Sequence, residues 1–389
     1  MSAPVPGETP LPRSEFAVTE RYAYLNHAAV GVLPRSSQAA LDAFVAAHAS
    51  GGVMGVFPYE GQMPAYRERI GRFIGASGDE IAVLRNTGDG ANAIALGLDW
   101  QPGDEMILAD NEFPSNAIPW LALRARGVNV RLVRSAERRL TPDALRAAMT
   151  PRTRVVAVSW VGFHDGYRYD LAGLAEVAHA GDALFCVDAI QGLGAFPIDV
   201  RALGIDALYA GGAKWMLALQ GVSLLYVRRD LIERLALGAP GWRSMRDIWD
   251  FFNYDQPYAS DAWRFEGGTP NFIGALSLER AIDAIERAGT ARIGEHVLAL
   301  TDRLFEGLQR AGATLHTERG PRISSGIVSF SMPGCESVAL GKALQNDEGI
   351  VTTWRASGIR VAPHGYNTTG EIDALLEALP THVRALRAS

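Results

Sequence analysis

Two residues set the chemistry open to this chain. Asp188 closes the apolar run LFCVD, and Lys214, in GGAKW, follows a second apolar run, ALYAG. A lysine amine can add to an aldehyde, and a buried carboxylate can hold a heteroaromatic nitrogen protonated. That pairing suits pyridoxal 5'-phosphate, with Lys214 as the Schiff-base lysine and Asp188 facing the ring nitrogen. Of 37 lysines and arginines, only Lys214 and Lys342 are lysine. Arginine supplies nearly all solvated positive charge here, so a lysine marks a place where an amine must be able to lose its proton. Lys342, in the amphipathic stretch GKALQN, reads as a surface charge.

Further candidates surround this pair. In LRNTGDGANAIALGL, Thr87, Gly88 and Asp89 form a glycine-bearing turn that opens a helix, where free N–H groups and the helix dipole favour a phosphate. Any helix needs an N-cap, so the turn gains meaning only beside Asp188 and Lys214. Phe113, just beyond a strand end in NEFPSN, can lie against a flat cofactor ring or pack the helix that follows. Gln191 lies three residues after Asp188 and can face the same ligand. His27, beside Asn26, and His164, beside Asp165 and downstream of Ser159, are candidates for substrate contact; such histidines also serve as caps or solvated loop residues. Arg360, in the apolar run GIRV, can fork onto a carboxylate.

The elements that must position these residues are legible as periodicity. From Ile81 the runs IAVL, MILA, VNVRLV, VVAVSW, ALFCVD, ALYAG and VSLLYV alternate with helical stretches. This predicts an α/β large domain, a mainly parallel seven-stranded sheet covered on both faces, whose ligands sit at the carboxyl ends of the strands. A smaller α+β domain follows, opening with a helical pattern from Asn271 to Gly312. The expected organisation is a loose tail over 1–20, a large domain over 21–270 and a small domain over 271–389. Residues 241–270 form a dense aromatic loop, from Trp242 through Trp249, Phe252 and Tyr258 to Phe265, that needs cover. An oligomer interface, an active-site wall or its own domain can provide it.

Composition excludes several classes. The net charge of −6 and the lack of any basic run leave no footprint for nucleic acid. No stretch reaches 18 apolar residues, which predicts no membrane span, and the proline-rich opening lacks the apolar core of a signal peptide. Cys186 and Cys335 build neither a disulfide framework nor a metal site, so no metal and a cytoplasmic setting are expected.

The motifs YLNHAAVG, VDAIQGLGAFPIDV, GGAKW, EGGTPN and GIRVAPHGYN together resemble the class V aminotransferase family of fold-type I pyridoxal-phosphate enzymes. That family includes cysteine desulfurases, selenocysteine lyases, isopenicillin N epimerases and kynureninases. The resemblance implies that Gln191 contacts the ring hydroxyl, that Thr87 and Gly88 belong to the phosphate cup, and that Phe113 takes the ring-stacking position where desulfurases usually place histidine. It also implies that Arg360 anchors the substrate carboxylate and that Thr269 reaches the phosphate of a neighbouring subunit in a homodimer with shared active sites. The departures bear on the reaction. Desulfurases carry a nucleophilic cysteine shortly before the substrate arginine, whereas EGIVTTWRASGIR has none and Cys335 comes too early, in SMPGCESVAL. Gly211 and Ala213 stand where the family often has serine and histidine, so the phosphate must gain contacts elsewhere, from Tyr209 or the loop after Thr87. Phe163 replaces an asparagine of desulfurases and moves the match toward the epimerase-like branch.

The expected function is a pyridoxal-phosphate enzyme acting on an amino acid or its derivative, with Lys214 removing the Cα proton, as a β-lyase or an epimerase. An aminotransferase or a cysteine desulfurase-like enzyme is the alternative. A non-catalytic interaction module on the same fold is disfavoured by the intact trio of Asp188, Gln191 and Lys214. A nucleotide-dependent oxidoreductase is disfavoured because no GxGxxG follows the first strand.

Overall fold

The structure is a computed structural model that describes residues 9–133 and 139–388. Two short 3-10 turns, Arg13–Glu15 and Ala17–Glu20, lead to β1 (Ala23–Tyr24) and to three helices, α1 (Arg35–Gly51), α2 (Val53–Glu60) and α3 (Met63–Phe73). Strand and helix then alternate through β2 (Ile81–Leu84), α4 (Thr87–Gly97), β3 (Glu105–Ala109), α5 (Pro114–Leu121) and β4 (Asn129–Val133). The alternation continues with α6 (Pro142–Ala148), β5 (Thr153–Ser159), α7 (Leu171–Ala180), β6 (Leu184–Asp188), β7 (Ala207–Gly211), β8 (Ser223–Val227) and α8 (Arg229–Ile232). After an irregular aromatic segment come α9 (Phe272–Ala288), α10 (Thr290–Arg310), β9 (Thr314–Leu315), β10 (Val328–Ser331) and α11 (Ser337–Glu348). The chain ends with β11 (Ile350–Val351), β12 (Thr353–Arg355), β13 (Gly358–Val361) and α12 (Thr369–Ala388).

The seven-stranded sheet has the order β2-β8-β7-β6-β5-β3-β4, and all its strands run the same way except β8, which is antiparallel to both neighbours. Every residue of β3 and of β8 is buried, as expected of continuous apolar runs with helices on both faces. The link from β7 to β8 is too short for the crossover that a parallel neighbour requires, so the chain turns back on itself. Gly212 N donates to Val222 O at 2.9 Å across the base of that link. The parallel strands therefore deliver their carboxyl ends to one edge, where the segments bearing Thr87, Phe113, Ser159, Asp188 and Lys214 emerge.

The second sheet, β12-β13-β10-β9, is antiparallel and shares a core with α10, α11 and α12, built on Leu304, Phe330, Leu340, Ile359 and Leu379. The helical stretch from Asn271 is two helices joined at Gly289, whose φ of 82° favours glycine. α9 buries Ala275, Leu278 and Ile282 in the core of the large sheet, where it meets α1 and α3. Lys342 lies on α11 with its Nζ 5.6 Å from the centre of the Trp354 ring.

The N-terminal segment departs from the expectation of a loose tail. Residues 1–8 of that stretch lie outside the described residues; from Thr9 the chain is packed. Leu11 and Phe16 are buried, and the Phe16 ring stacks on Tyr366 at 3.9 Å, so apolar side chains find cover on the far end of the chain. β1 pairs in parallel with β11 in a two-stranded sheet of its own, and Asn26 bridges to Ala362 just after β13.

The aromatic segment is anchored at one end and open at the other. Arg67 of α3 forks onto Glu266 at 2.8 and 2.7 Å, and Val83 N donates to the same carboxylate at 3.0 Å, all of it buried. Trp242, Trp249 and Phe251 form a cluster with Phe57 of α2, while Phe252 and Tyr254 are largely exposed. Val53 and Met54 of α2 are exposed as well, so α2 and the loop carry much apolar surface. Among the described residues, no helix is long and apolar enough to cross a membrane, and no group of histidine, cysteine and acidic side chains can hold a metal ion.

Candidate active site

Asp188 is the last residue of β6 and is 1% exposed. Its Oδ1 accepts from Ile190 N at 3.0 Å, while Oδ2 is buried with no hydrogen-bond partner among the described residues. Such an orphaned oxygen is costly, and a protonated ring nitrogen supplies the donor it lacks. Burial above all raises the Asp188 pKa far above the carboxylate range; the Ile190 N–H and Lys214 oppose the rise, and the charge of Glu112 adds to it.

Lys214 sits in the link between β7 and β8, and backbone contacts pin that link. Gly31 N donates to Ala213 O at 2.7 Å, Leu217 N to Lys214 O at 3.0 Å, and Ala218 N to Gly212 O at 3.0 Å. Leu217 takes a φ of 55°, unusual for a residue with a side chain. A Cβ at position 31 would fall 2.0 Å from Lys214 O, so only glycine permits this approach. Burial lowers the Lys214 pKa; Asp188 opposes the shift, and Arg360 and Arg355 reinforce it.

A buried polar network backs Asp188. Ser159, opposite Asp188 on β5, donates to Glu112 through its N at 2.7 Å and through its Oγ at 2.5 Å. Asn116 Nδ2 donates to Glu112 Oε2 at 2.9 Å, and Tyr209 Oη donates to Asn116 Oδ1 at 2.6 Å. Burial raises the Glu112 pKa against these hydrogen bonds. The sequence reading missed Glu112 and Asn116; the available signal was their place beside Phe113, just past a strand end. Tyr209, offered as a phosphate contact, is fully buried and committed to Asn116, so it does not take that part.

At the opening of α4, Asn86 caps the helix by accepting from Asp89 N at 2.9 Å. Thr87 Oγ1 accepts from Gly211 N at 3.0 Å, and a Cβ at position 211 would stand 3.2 Å from that hydroxyl. The missing side chain at Gly211 thus lets the end of β7 close on the helix N-terminus and leaves a cradle of N–H groups at Thr87 and Gly88. The Asp89 carboxylate turns to Arg85, at 2.7 Å, and serves the helix end and not a phosphate.

Phe113 faces the amine, with Lys214 Nζ 5.4 Å from its ring centre, and the Phe163 ring meets it edge-on at 5.1 Å. Arg360 on β13 reaches the same neighbourhood. Its Nη1 donates to Phe163 O at 2.5 Å and its Nη2 to Thr353 Oγ1 at 3.3 Å, while its Nε is buried without a partner among the described residues. Burial, with the charge of Arg355, pushes the Arg360 guanidinium down to about 10. Beside it opens a cleft of about 500 Å³ lined by Arg139, His164, Asp165, Arg355 and Arg360 among others. His164 lies half-exposed there, its Nε2 3.4 Å from Asp165 Oδ2.

Gln191 is buried near Asp188, donating to Ala28 O at 3.0 Å and accepting from Trp215 Nε1 at 2.9 Å. Two other candidates are not brought to the amine. His27 is fully buried, with Nδ1 3.0 Å from Ala362 O and Nε2 2.8 Å from Tyr366 Oη, so no ring nitrogen remains for a substrate. Thr269 is exposed on a separate cavity of about 720 Å³ that it shares with Asp89 and Asn92. Lys214 lines neither cavity; its link to the 500 Å³ cleft runs through Arg355 and Arg360.

Comparison with known proteins agrees with this geometry. Residues 24–375 match the family described as Aminotransferase class-V. A probable cysteine desulfurase of Methanothermobacter thermautotrophicus is 31% identical over 80% of this chain and 82% of its own length. An uncharacterized aminotransferase of Bacillus subtilis, YcbU, is 29% identical over 79% of this chain and 80% of its own. The apo structure of a cysteine desulfurase from Thermococcus onnurineus NA1 superimposes with a TM-score of 0.89 at 25% identity, covering 99% of this chain and 100% of that one. With an orphaned acceptor on Asp188, an amine on Lys214 and N–H groups of Thr87 and Gly88 at a helix N-terminus, the chain belongs to the class V aminotransferase family, and its cofactor is pyridoxal 5'-phosphate.

Proposed function

We propose that this chain cleaves the C–S bond of a sulfur-bearing amino acid by β-elimination, a desulfurase-like reaction in which no thiol of the protein takes up the sulfur. The observation that carries the reading is the position of both cysteines. Cys186 is buried within β6 and Cys335 lies in the turn between β10 and α11; neither lines the cleft at Arg360. Burial pushes both thiols up, which leaves little thiolate to act as a nucleophile. Relatives named cysteine desulfurase support the sulfur-bearing substrate class.

The residues divide the work. Arg360, with no carboxylate partner of its own, receives the substrate carboxylate in a bidentate fork. Lys214, its amine pKa lowered to about 8 by burial first and by Arg360 and Arg355 after it, against the charge of Asp188, takes the proton from Cα. Pyridoxal phosphate, held through Lys214 and Asp188, would supply a sink for the electron pair left at Cα, with Asp188 keeping the ring nitrogen protonated. The Phe113 and Phe163 rings shield the amine from water on one side. The thiolate leaves Cβ and is protonated. With one water consumed, the products are a free thiol, a 2-oxo acid and ammonia.

The reading extends to assembly. The apolar surface of α2 and the aromatic loop suits a second copy of the chain, which would bring Thr269 to the neighbour's phosphate turn. A transamination reading keeps support from the relative named aminotransferase and uses the same residues. Incubation with L-cysteine, L-cystine and S-alkyl-L-cysteines, following thiol, 2-oxo acid and solvent deuterium at Cα, separates the cases. Thiol and 2-oxo acid in equal amounts, unchanged in Cys335→Ser, are expected. A need for an added 2-oxo acid means transamination, deuterium uptake alone means epimerisation, and loss of turnover in Cys335→Ser would restore a persulfide route.

A further inference from the structure

The cleft beside Arg360 holds more positive charge than an α-carboxylate requires. Arg139, at one side, is already neutralised: it pairs with Asp165 and, at 3.3 Å, with Glu318, and its guanidinium lies 4.3 Å over the Tyr167 ring. Asp165 is thereby committed and offers nothing to the other arginines. Arg360 bonds only to a backbone carbonyl and a threonine hydroxyl. Arg355 stands at the end of β12, directly across from Gly358 in the tight β12–β13 hairpin, and makes no ion pair among the described residues. Two guanidinium groups thus share one cleft with no ion-pair partner of their own among the described residues, close enough for the charge of Arg355 to act on both Arg360 and the Lys214 amine. A structure holds like charges together at a cost unless an anion relieves it.

One carboxylate on Arg360 leaves Arg355 unanswered. The cleft, at about 500 Å³, has room for a side chain beyond the α-carbon, and Ser357 adds a hydroxyl that can donate to an acidic group, while the Ser329 and Thr353 hydroxyls already donate to His164 O and Asn26 Oδ1. We propose that Arg355 forms a second anion subsite in this cleft, so that the preferred substrate is an amino acid whose side chain carries its own acidic group. The proposal rests on the reading of Arg360 as the α-carboxylate anchor and adds a specificity-determining residue five positions before it. Because Arg355 is exposed in a hairpin, its replacement leaves the core intact.

The test uses the holoenzyme and two ligands that share a C–S bond and differ only in charge: S-carboxymethyl-L-cysteine and its neutral amide, S-carbamoylmethyl-L-cysteine. Dissociation constants come from titration of the visible cofactor spectrum, checked by calorimetry. The acid is expected to bind about tenfold more tightly than the amide, the scale of one charge-assisted pair in a partly desolvated cleft. Arg355→Gln should erase that preference by weakening the acid far more than the amide, Arg355→Lys should keep part of it, and Arg360→Gln should weaken both ligands alike. Equal binding of acid and amide by the wild-type protein overturns the proposal, and so does a preference that survives Arg355→Gln. Since the readout is binding, acid preference without C–S cleavage would sink the proposed reaction and leave the subsite standing; cleavage with no preference would do the reverse.

Discussion

Replacing Asp188 with asparagine isolates what its orphaned oxygen does. In the cofactor-free protein the amide keeps an oxygen to accept from Ile190 N and removes a buried charge that has no second partner. Leaving a charged group buried and unsatisfied costs about 2–4 kcal/mol. The pKa of Asp188 is raised in the fold, so its contribution to stability is fully present below its ordinary value of 3.8 and is lost as pH rises toward neutrality. The apo variant should therefore match the wild type near pH 4 and surpass it at pH 8, by roughly 4–8 °C in melting temperature at about 2 °C per kcal/mol. With cofactor the order reverses. Asparagine cannot hold the ring nitrogen protonated, so affinity for pyridoxal phosphate should fall by about tenfold or more and turnover by about a hundredfold or more. Calorimetric melts of apo and holo forms at both pH values read all four states. If apo Asp188→Asn is no more stable than the wild type at pH 8, or if it binds the cofactor as tightly, the assignment of Asp188 to the ring nitrogen fails.

Three further outcomes follow from other parts of the site. Gly31→Ala should fold but lose cofactor binding, because the added methyl meets Lys214 O at 2.0 Å and must displace the lysine link; retention of the visible chromophore after dialysis would argue against the link being rigid. Trp249→Glu combined with Phe57→Glu should shift the protein to monomers in sedimentation and depress turnover, whereas an unchanged mass would remove the aromatic loop from the proposed interface. Arg67→Met should cost about 3–5 kcal/mol in denaturant unfolding by stranding the buried Glu266 carboxylate, and a loss below 1 kcal/mol would mean that water reaches that pair.

Much of the scaffold was readable because its strands are buried on both faces, and a run such as VVAVSW can satisfy few other roles. Direction was not readable: SLLYV is as apolar as its parallel neighbours, and only the short return from Gly211 makes β8 antiparallel. Asp188 and Lys214 were legible because a terminal carboxylate and a rare amine stand out by residue type. His27 has an equally suggestive type, yet its fate is decided by Tyr366 at the other end of the chain, which no local pattern reports. Glu112 failed in the opposite way, since its place beside Phe113 is a faint signal for one more acid in a polar loop until Ser159 and Asn116 close around it. Leu11 and Phe16 were hidden by the prolines beside them and found their cover on Gly365 and Tyr366.

The shortage of lysine also makes this chain a gauge of its own loading. Apart from the α-amine, an acylating reagent has two targets, Lys342 on α11 and Lys214. Lys342 is open to modification in every molecule, while Lys214 reacts only in chains whose amine is not bound to cofactor. The ratio of the two labelled peptides in a mass spectrum, set against the same ratio in cofactor-free protein, is then the fraction of vacant sites, read without colour or turnover and undiluted by other lysines.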